Sequence, residues 1–181
     1  MKQKPLSPKE YLKTNHAKLT FETCKINDNW QQTGMPIVVV QKKMPSGNFI
    51  IGTYLIDIKC LGLKNSVLAC NLSYIRVGVF FKELSLQHHL IDCELVFAHN
   101  LVYGAIDYAQ ELGFEPNHDF AHTELLLDPD LIDDGIDEIE FGKDGKPLYI
   151  PGPNDNVNKI LAQLERVCGT GNYYYITHMF D

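Results

Sequence analysis

The spacing of apolar and polar residues predicts several helices of unequal length. A capping box formed by Ser7 and Glu10, with Pro8 between them, starts a helix that ends near residue 19. Apolar residues at steps of three and four over residues 86–112 predict the longest helix, and Gly113 follows it as a C-terminal cap. Cap signals predict two further helices, over residues 117–127 and 157–168.

Short apolar runs separated by turn residues predict strands that pair as hairpins. One hairpin joins residues 37–40 to 49–58 around the turn at 45–48, and a second joins 136–141 to 146–150. Residues 67–81 show no clean period and are interpreted as a strand followed by a loop, and a last strand is expected at 172–177. The pattern predicts an α+β fold, with an antiparallel sheet built from hairpins packed against a long central helix and two or three shorter helices.

Composition places the whole chain in one globular domain. With 181 residues, 45% hydrophobic and 22% charged, residues 1–181 are expected to form a single domain with an ordinary core. Within it, residues 1–25 form a basic N-terminal helix or arm. The N-terminus lacks the apolar core of a secretory signal, and no apolar run approaches the roughly 20 residues of a membrane helix. We therefore expect a soluble, cytoplasmic protein that makes no membrane contact.

The five cysteines agree with a reducing compartment. They are widely spaced and include no Cys-x-x-Cys pair, so neither a disulfide framework nor a zinc ribbon is expected. Most are interpreted as small buried side chains. Cys60 is the candidate nucleophile among them, provided that the fold brings a distant histidine beside it.

Charge is distributed very unevenly along the chain. Residues 83–142 contain 15 of the 23 acidic residues and no lysine or arginine, so this third carries −15 and the remainder +8. Such asymmetry predicts an acidic face that attracts basic partners and repels phosphate. Direct nucleic-acid binding at that face is disfavoured.

The densest acidic segment is a candidate partner-binding surface. It spans residues 128–140 and lacks the alternating order of a calcium loop. A solvated loop and a contact for a basic protein both remain open. The residues assigned to binding are Asp128, Asp130, Asp133, Asp134, Asp137 and Glu138.

The sharpest local motif is His118-Asp-Phe-Ala-His122. On a helix, this spacing places two imidazoles one turn apart, as a divalent transition metal requires. Asp119 is the candidate third ligand, and Glu124 stands nearby as another carboxylate. Two surface histidines near a helix start are the alternative interpretation, since a stable site needs three or four ligands. His99, in the middle of the long helix, needs a polar partner if it is buried.

Three hypotheses of function follow. The first is an intracellular interaction or regulatory module whose acidic face binds a basic protein or a second copy of the chain. The second is a metal-dependent hydrolase with its site at His118 and His122. The third is a decoy that mimics nucleic acid through its carboxylates. Phosphate-binding loops, nucleophile elbows and dinucleotide fingerprints are all absent from the sequence, so whether the chain is an enzyme stays open.

Ten stretches spread over nearly the whole chain carry a resemblance to a known family. They are residues 26–30 (INDNW), 34–35 (GM), 52–57 (GTYLID), 60–64 (CLGLK), 99–100 (HN), 103–109 (YGAIDYA), 112–116 (LGFEP), 119–120 (DF), 141–147 (FGKDGKP) and 171–173 (GNY). Taken jointly, they resemble an uncharacterised bacterial protein family. This chain departs from the family at Asn65 and Ser66, where the resemblance implies an acidic and a small polar residue. The resemblance implies a shared fold and no activity, cofactor or partner.

Overall fold

The computed structural model describes residues 6–128, 131 and 139–176. These residues form an α+β fold with a five-stranded antiparallel sheet, which confirms the predicted class. The helices are α1 Pro8–Asn15, α2 Trp30–Thr33, α3 Tyr74–Ser85, α4 Leu95–Glu111, α5 Phe120–Thr123 and α6 Val157–Cys168. The strands are β1 Thr20–Asn27, β2 Ile37–Lys43, β3 Phe49–Asp57, β4 Gly62–Leu72, β5 Leu90–Asp92, β6 Leu148–Tyr149 and β7 Tyr174–Tyr175.

The main sheet is a meander with one strand added at its far edge. Its order is β4-β3-β2-β1-β5, and every neighbouring pair is antiparallel. The β2–β3 hairpin is the predicted one, with Ile37 opposite Leu55 and Lys43 opposite Phe49. The two edges of the sheet are therefore the eleven-residue β4 and the three-residue β5.

Both faces of the sheet are covered at its centre. Val38 and Val40 face the larger core, which α1, α4 and α5 complete, whereas Val39 faces a smaller core under α3. All three valines are fully buried, and each burial contributes roughly 1.5–3 kcal/mol. A strand buried on both sides needs a continuous apolar run, which explains why β2 lacks alternation.

The chain enters β4 in direct contact with helix α4. At Gly62, φ is +66°, and an added Cβ would lie 2.6 Å from the Ala109 Cβ and 2.7 Å from the Ala105 carbonyl oxygen. Only glycine satisfies both the left-handed backbone and this close approach. Small residues on α4 thus allow the sheet and its main helix to pack tightly.

A third cluster lies beyond the end of the sheet. It joins Cys60, Leu112, Tyr149 and Leu164, so α6 packs against the β3–β4 turn and the end of α4. The cap signals predicted for α6 are present: the Asn156 side chain accepts from the Lys159 amide at 3.1 Å, and Gly169 follows the helix.

Two sequence interpretations between residues 67 and 112 are wrong. Residues 67–81 are not a strand followed by a loop, because β4 ends at Leu72 and the helix α3 begins at Tyr74. The stretch 86–112 is not one helix, because β5 occupies its beginning and α4 starts at Leu95. An edge strand this short forms by pairing with β1, and local periodicity does not reveal that pairing.

Two further interpretations need correction. The helix predicted over residues 117–127 is the one-turn helix α5, followed by a 3₁₀ helix at Glu124–Leu126. The second hairpin keeps its turn, with a bridge between Lys143 and Lys146, but β6 pairs in parallel with β7. Of its predicted first strand, residues 136–138 lie outside the described residues, and residues 139–141 form no strand. Within the described ranges, no helix is long and apolar enough to span a bilayer.

Candidate functional site

A groove of about 510 Å³ lies where β4 meets the first residues of α1 and α5. We call it the β4 groove. It brings together three segments that are distant in sequence, and it includes two of the three residues predicted as metal ligands. Its lining residues are Ser7, Pro8, Lys9, Asn65, Ser66, Val67, Leu68, Asp119 and His122.

The side of the groove formed by β4 is an edge of the main sheet. One edge of β4 pairs with β3, and no strand in the described part of the chain pairs with the other. On β4, the Leu63 carbonyl accepts a hydrogen bond from the Asn117 amide at 2.9 Å, and the Ser66 amide donates to Asn65 Oδ1 at 2.9 Å. The Val67 side chain is 54% exposed. The exposed Val67 thus leaves this part of the sheet edge in contact with solvent.

Buried hydrogen bonds hold α5 as a fixed wall of the groove. The Tyr54 hydroxyl donates to the Thr123 carbonyl at 2.8 Å, and the hydroxyls of Ser66 and Thr123 hydrogen-bond to each other. Burial raises the pKa of Tyr54 well above its usual value, so the phenol stays a neutral donor. Strand β3, strand β4 and helix α5 are thereby joined by polar contacts inside the core.

The Asp119 carboxylate contacts both of the predicted histidine ligands. Its Oδ1 lies 3.1 Å from His118 Nε2 and 3.5 Å from His122 Nδ1. His118 precedes α5, which begins at Phe120, so the two histidines do not lie on successive turns of one helix as the sequence predicted. The carboxylate can pair with either imidazole when that ring is protonated.

The metal-site hypothesis gains no additional ligand from the fold. Among residues 6–128, 131 and 139–176, no group of three or more His, Cys, Asp and Glu side chains could hold a metal ion. The assignment of His118, His122 and Asp119 as metal ligands stays a prediction.

Of the six acidic residues assigned to partner binding, Asp128 alone lies within the described residues. Its Oδ1 lies 2.5 Å from the Lys42 ammonium, whose side chain is only 4% exposed. Asp128 therefore neutralises a buried cation of strand β2. The other five residues, Asp130, Asp133, Asp134, Asp137 and Glu138, lie outside the described residues.

The acidic third of the chain is partly neutralised by lysines from other segments. Besides the Lys42–Asp128 pair, Lys25 Nζ lies 2.5 Å from Asp92 Oδ1. On α4, Asp107 and Glu111 are exposed one turn apart, and Glu115 is exposed soon after the helix. Asp92 at the β5 edge is thus paired with a lysine, whereas Asp107, Glu111 and Glu115 are exposed on and after α4.

Sequence reasoning missed a second cavity, of about 200 Å³, between the β3–β4 turn and the segment before α6. Asp57, 5% exposed, accepts there from the backbone amides of Lys59 and Cys60, and burial raises the pKa of its carboxyl group. Lys64, on the cavity wall, pairs with Asp155 at 3.0 Å. The hydrogen bonds to Asp57 fix the β3–β4 turn. The ion pair between Lys64 and Asp155 attaches the segment before α6 to strand β4.

Cys60 and His99, both singled out in the sequence, lie in environments that favour a structural role over a chemical one. Cys60 is fully buried, and desolvation followed by the charge of Asp57 raises the pKa of its thiol, which disfavours a nucleophilic thiolate. His99 has the polar partner that its position requires, because Nδ1 lies 3.1 Å from the Leu127 carbonyl oxygen and the ring packs on Tyr103.

Comparisons of the chain with protein-family models, with curated proteins and with solved structures give no match.

Proposed function

We propose that this protein is an interaction module that binds an extended segment of a partner protein along the outer edge of β4. The observation that carries the proposal is the position of residues 65–68, at the sheet edge and in the wall of the β4 groove. An added strand would hydrogen-bond to the backbone there, and the groove would receive alternate side chains of the incoming segment.

The composition of β4 favours such an addition. Edge strands that must avoid pairing often carry proline, lysine or other charged residues. Between Asn65 and Leu72, β4 has no charged residue and no proline. Val67 adds an exposed apolar side chain at the centre of the accessible stretch. This part of the strand therefore lacks the charged residues and the proline that often prevent edge pairing.

Charge favours a basic segment as the occupant. Asp119, whose side chain is 40% exposed, lines the groove, and the chain as a whole carries a net charge of −7. Lys9, which also lines the groove, offers a single positive charge. A peptide with apolar residues on one side and Lys or Arg on the other would complement the edge and Asp119 together.

Binding can be tested with peptides of defined pattern. Fluorescence anisotropy would compare octapeptides that alternate Val with Lys, Val with Glu, and Val with Ser. We expect the Val–Lys peptide to bind most tightly. N-methylation of alternate peptide residues removes the amide donors on one side of the added strand. Loss of two backbone hydrogen bonds costs about 1–3 kcal/mol. Methylation of one of the two alternating sets of residues should therefore weaken binding about tenfold or more.

A matched pair of valine variants separates strand addition from nonspecific adhesion. Val67→Lys places a charge at the edge and should abolish peptide binding. Val79→Lys makes the same change on α3, where Val79 is 42% exposed, and should leave binding intact. Equal loss in both variants, or no dependence on peptide N-methylation, would contradict the proposal.

A second copy of the chain is the competing occupant. Light scattering across a range of protein concentrations distinguishes the two cases. A dimer that Val67→Lys dissociates, together with no peptide binding by the wild-type protein, would replace the partner peptide by self-association through β4.

A further inference from the structure

Two cysteines lie side by side at the edge of the sheet opposite β4. Cys24 belongs to β1, and Cys93 directly follows β5, which pairs antiparallel with β1. Lys25 lies opposite Asp92, so the next position in the ladder places Cys24 opposite Cys93. The Cys93 amide donates to the Cys24 carbonyl at 3.0 Å, and the two sulfur atoms are 3.4 Å apart.

This backbone arrangement is compatible with a covalent bond between the sulfurs. Hydrogen-bonded opposite residues of an antiparallel pair have Cα atoms about 5.5 Å apart. Disulfides span Cα separations of about 4.4–6.8 Å. Bond formation therefore requires the two sulfur atoms to approach each other, and it leaves the register of the strands unchanged.

We infer that Cys24 and Cys93 are a reversible dithiol–disulfide pair that hydrogen peroxide oxidises. Both thiols are free in the structure. Cys93 is partly exposed and is the entry point for the oxidant, whereas Cys24 is 1% exposed and resolves the intermediate. Oxidation would link the edge strand β5 and the start of α4 covalently to β1.

The environment of the pair separates the roles of the two thiols. When Cys93 ionises, the Cys24 thiol can donate a hydrogen bond to the thiolate, and this contact lowers the pKa of Cys93. Burial and the carboxylates of Asp92 and Glu94 oppose this shift, whereas the Lys25 ammonium assists it. The same sulfur contact, with burial as the next cause, raises the pKa of Cys24. Cys93 is therefore the nucleophile, since the thiolate is the reactive form.

The chemistry proceeds in two balanced steps. The Cys93 thiolate attacks one peroxide oxygen, the O–O bond breaks, and the product is Cys93 sulfenic acid with hydroxide, which becomes water. The Cys24 sulfur then attacks the sulfenic sulfur, the S–O bond breaks, and a second water leaves with the thiol proton. Two thiols and one hydrogen peroxide thus give one disulfide and two waters. Dithiothreitol reverses the change and is itself oxidised to its cyclic disulfide.

The primary test uses the unmodified full chain. The reduced protein would be treated with hydrogen peroxide, its free thiols titrated after unfolding, and its non-reduced peptides mapped by mass spectrometry. We expect the thiol count to fall from five to three, with a single linked peptide pair that contains Cys24 and Cys93. Dithiothreitol should restore all five.

Variants assign the order of the steps. In Cys24→Ser, dimedone should label Cys93 as the trapped sulfenic acid, and no disulfide should form. Cys93→Ser should lose both the label and the disulfide. Cys70→Ser is the matched control, because Cys70 is also partly exposed, and it should oxidise as the wild-type protein does.

The stability of the oxidised wild-type protein provides a readout that needs no variant. The crosslink would join positions 69 residues apart, so it should raise Tm by about 5–10 °C relative to the reduced protein. Five free thiols after peroxide treatment, or a disulfide that joins other cysteines such as Cys60 and Cys168, would overturn the inference.

Discussion

The ion pair between Lys42 and Asp128 is the feature of this fold whose energetic role can be tested most directly. Lys42 lies on β2, its side chain is 4% exposed, and its Nζ lies 2.5 Å from Asp128 Oδ1. The Asp128 side chain is 46% exposed, so one charge of the pair is buried and the other is half in water. Asp128→Asn keeps the shape of the side chain and leaves the buried ammonium without its counterion.

The expected cost follows from this mixed exposure. Removing one partner of a fully buried pair costs about 3–5 kcal/mol, whereas surface pairs contribute about 1 kcal/mol or less. Because the cation is buried and the anion is partly solvated, we expect Asp128→Asn to lower the free energy of unfolding by about 2 kcal/mol. Lys42→Met replaces the cation by an apolar chain of similar length and should cost less than about 1 kcal/mol.

A double-mutant cycle measured by urea unfolding tests this reasoning. In the Lys42→Met background, Asp128→Asn should have almost no further effect, since no buried charge remains to be neutralised. Asp92→Asn is the control, because Asp92 pairs with Lys25 but has an 80% exposed side chain, and it should destabilise the protein much less. If Asp128→Asn costs the same free energy in the wild-type and Lys42→Met backgrounds, the assigned role of the pair is wrong.

Two further predictions concern the β3–β4 turn. Burial raises the pKa of Asp57 in the folded state above its unfolded value of about 3.9. The protonated carboxyl group therefore stabilises the folded state fully at pH values below the unfolded pKa. This stabilisation is lost as the pH rises through the folded-state pKa. Urea unfolding should therefore show that Asp57→Asn is less destabilising at pH 7 than at pH 4, and a pH-independent difference would exclude this linkage. Gly62→Ala should lower the free energy of unfolding by more than about 2 kcal/mol, because the added Cβ would lie 2.7 Å from a carbonyl oxygen of α4. Gly145→Ala is its control, since φ there is also positive but no atom lies within 4 Å of an added Cβ, and thermal unfolding should show a smaller loss.

The two proposals concern opposite edges of the main sheet, so their tests are independent. The β4 groove lies at one edge, and the Cys24–Cys93 pair lies where β5 forms the other. Failure of peptide binding would leave the thiol chemistry untouched. The absence of a disulfide would likewise leave the binding proposal standing.

The parts of the fold that depend on residues close together in the sequence were predictable from the sequence. The capping box at Ser7 and Glu10 forms, the β2–β3 hairpin pairs around its turn, and α6 has its Asn156 cap. Each of these features is encoded within a few residues, where hydrogen bonds and turn preferences act without help from distant segments.

Other elements were not predictable, because they exist only through distant pairing. Strand β1 contains charged residues and gave no strand signal, yet it pairs with β2 on one side and with β5 on the other. The predicted 86–112 helix was wrong for the same reason, since Lys25 opposite Asp92 holds the first part of that stretch in a strand. In the fold, Asp119 contacts both histidines of the motif, but the motif gave no sign that β4 lies beside Asp119 and His122.

The sequence by itself determined the α+β class, the local caps and turns, and the uneven distribution of charge. The tertiary structure alone decided which residues meet: residues 65–68 with Asp119, Lys42 with Asp128, and Cys24 with Cys93. Local structure follows from propensities and hydrogen bonds between near neighbours, which the order of residues specifies directly. Contacts across 50–90 positions depend on how strands and helices pack into a shared core, and the spacing of residues along the chain carries no direct record of that packing.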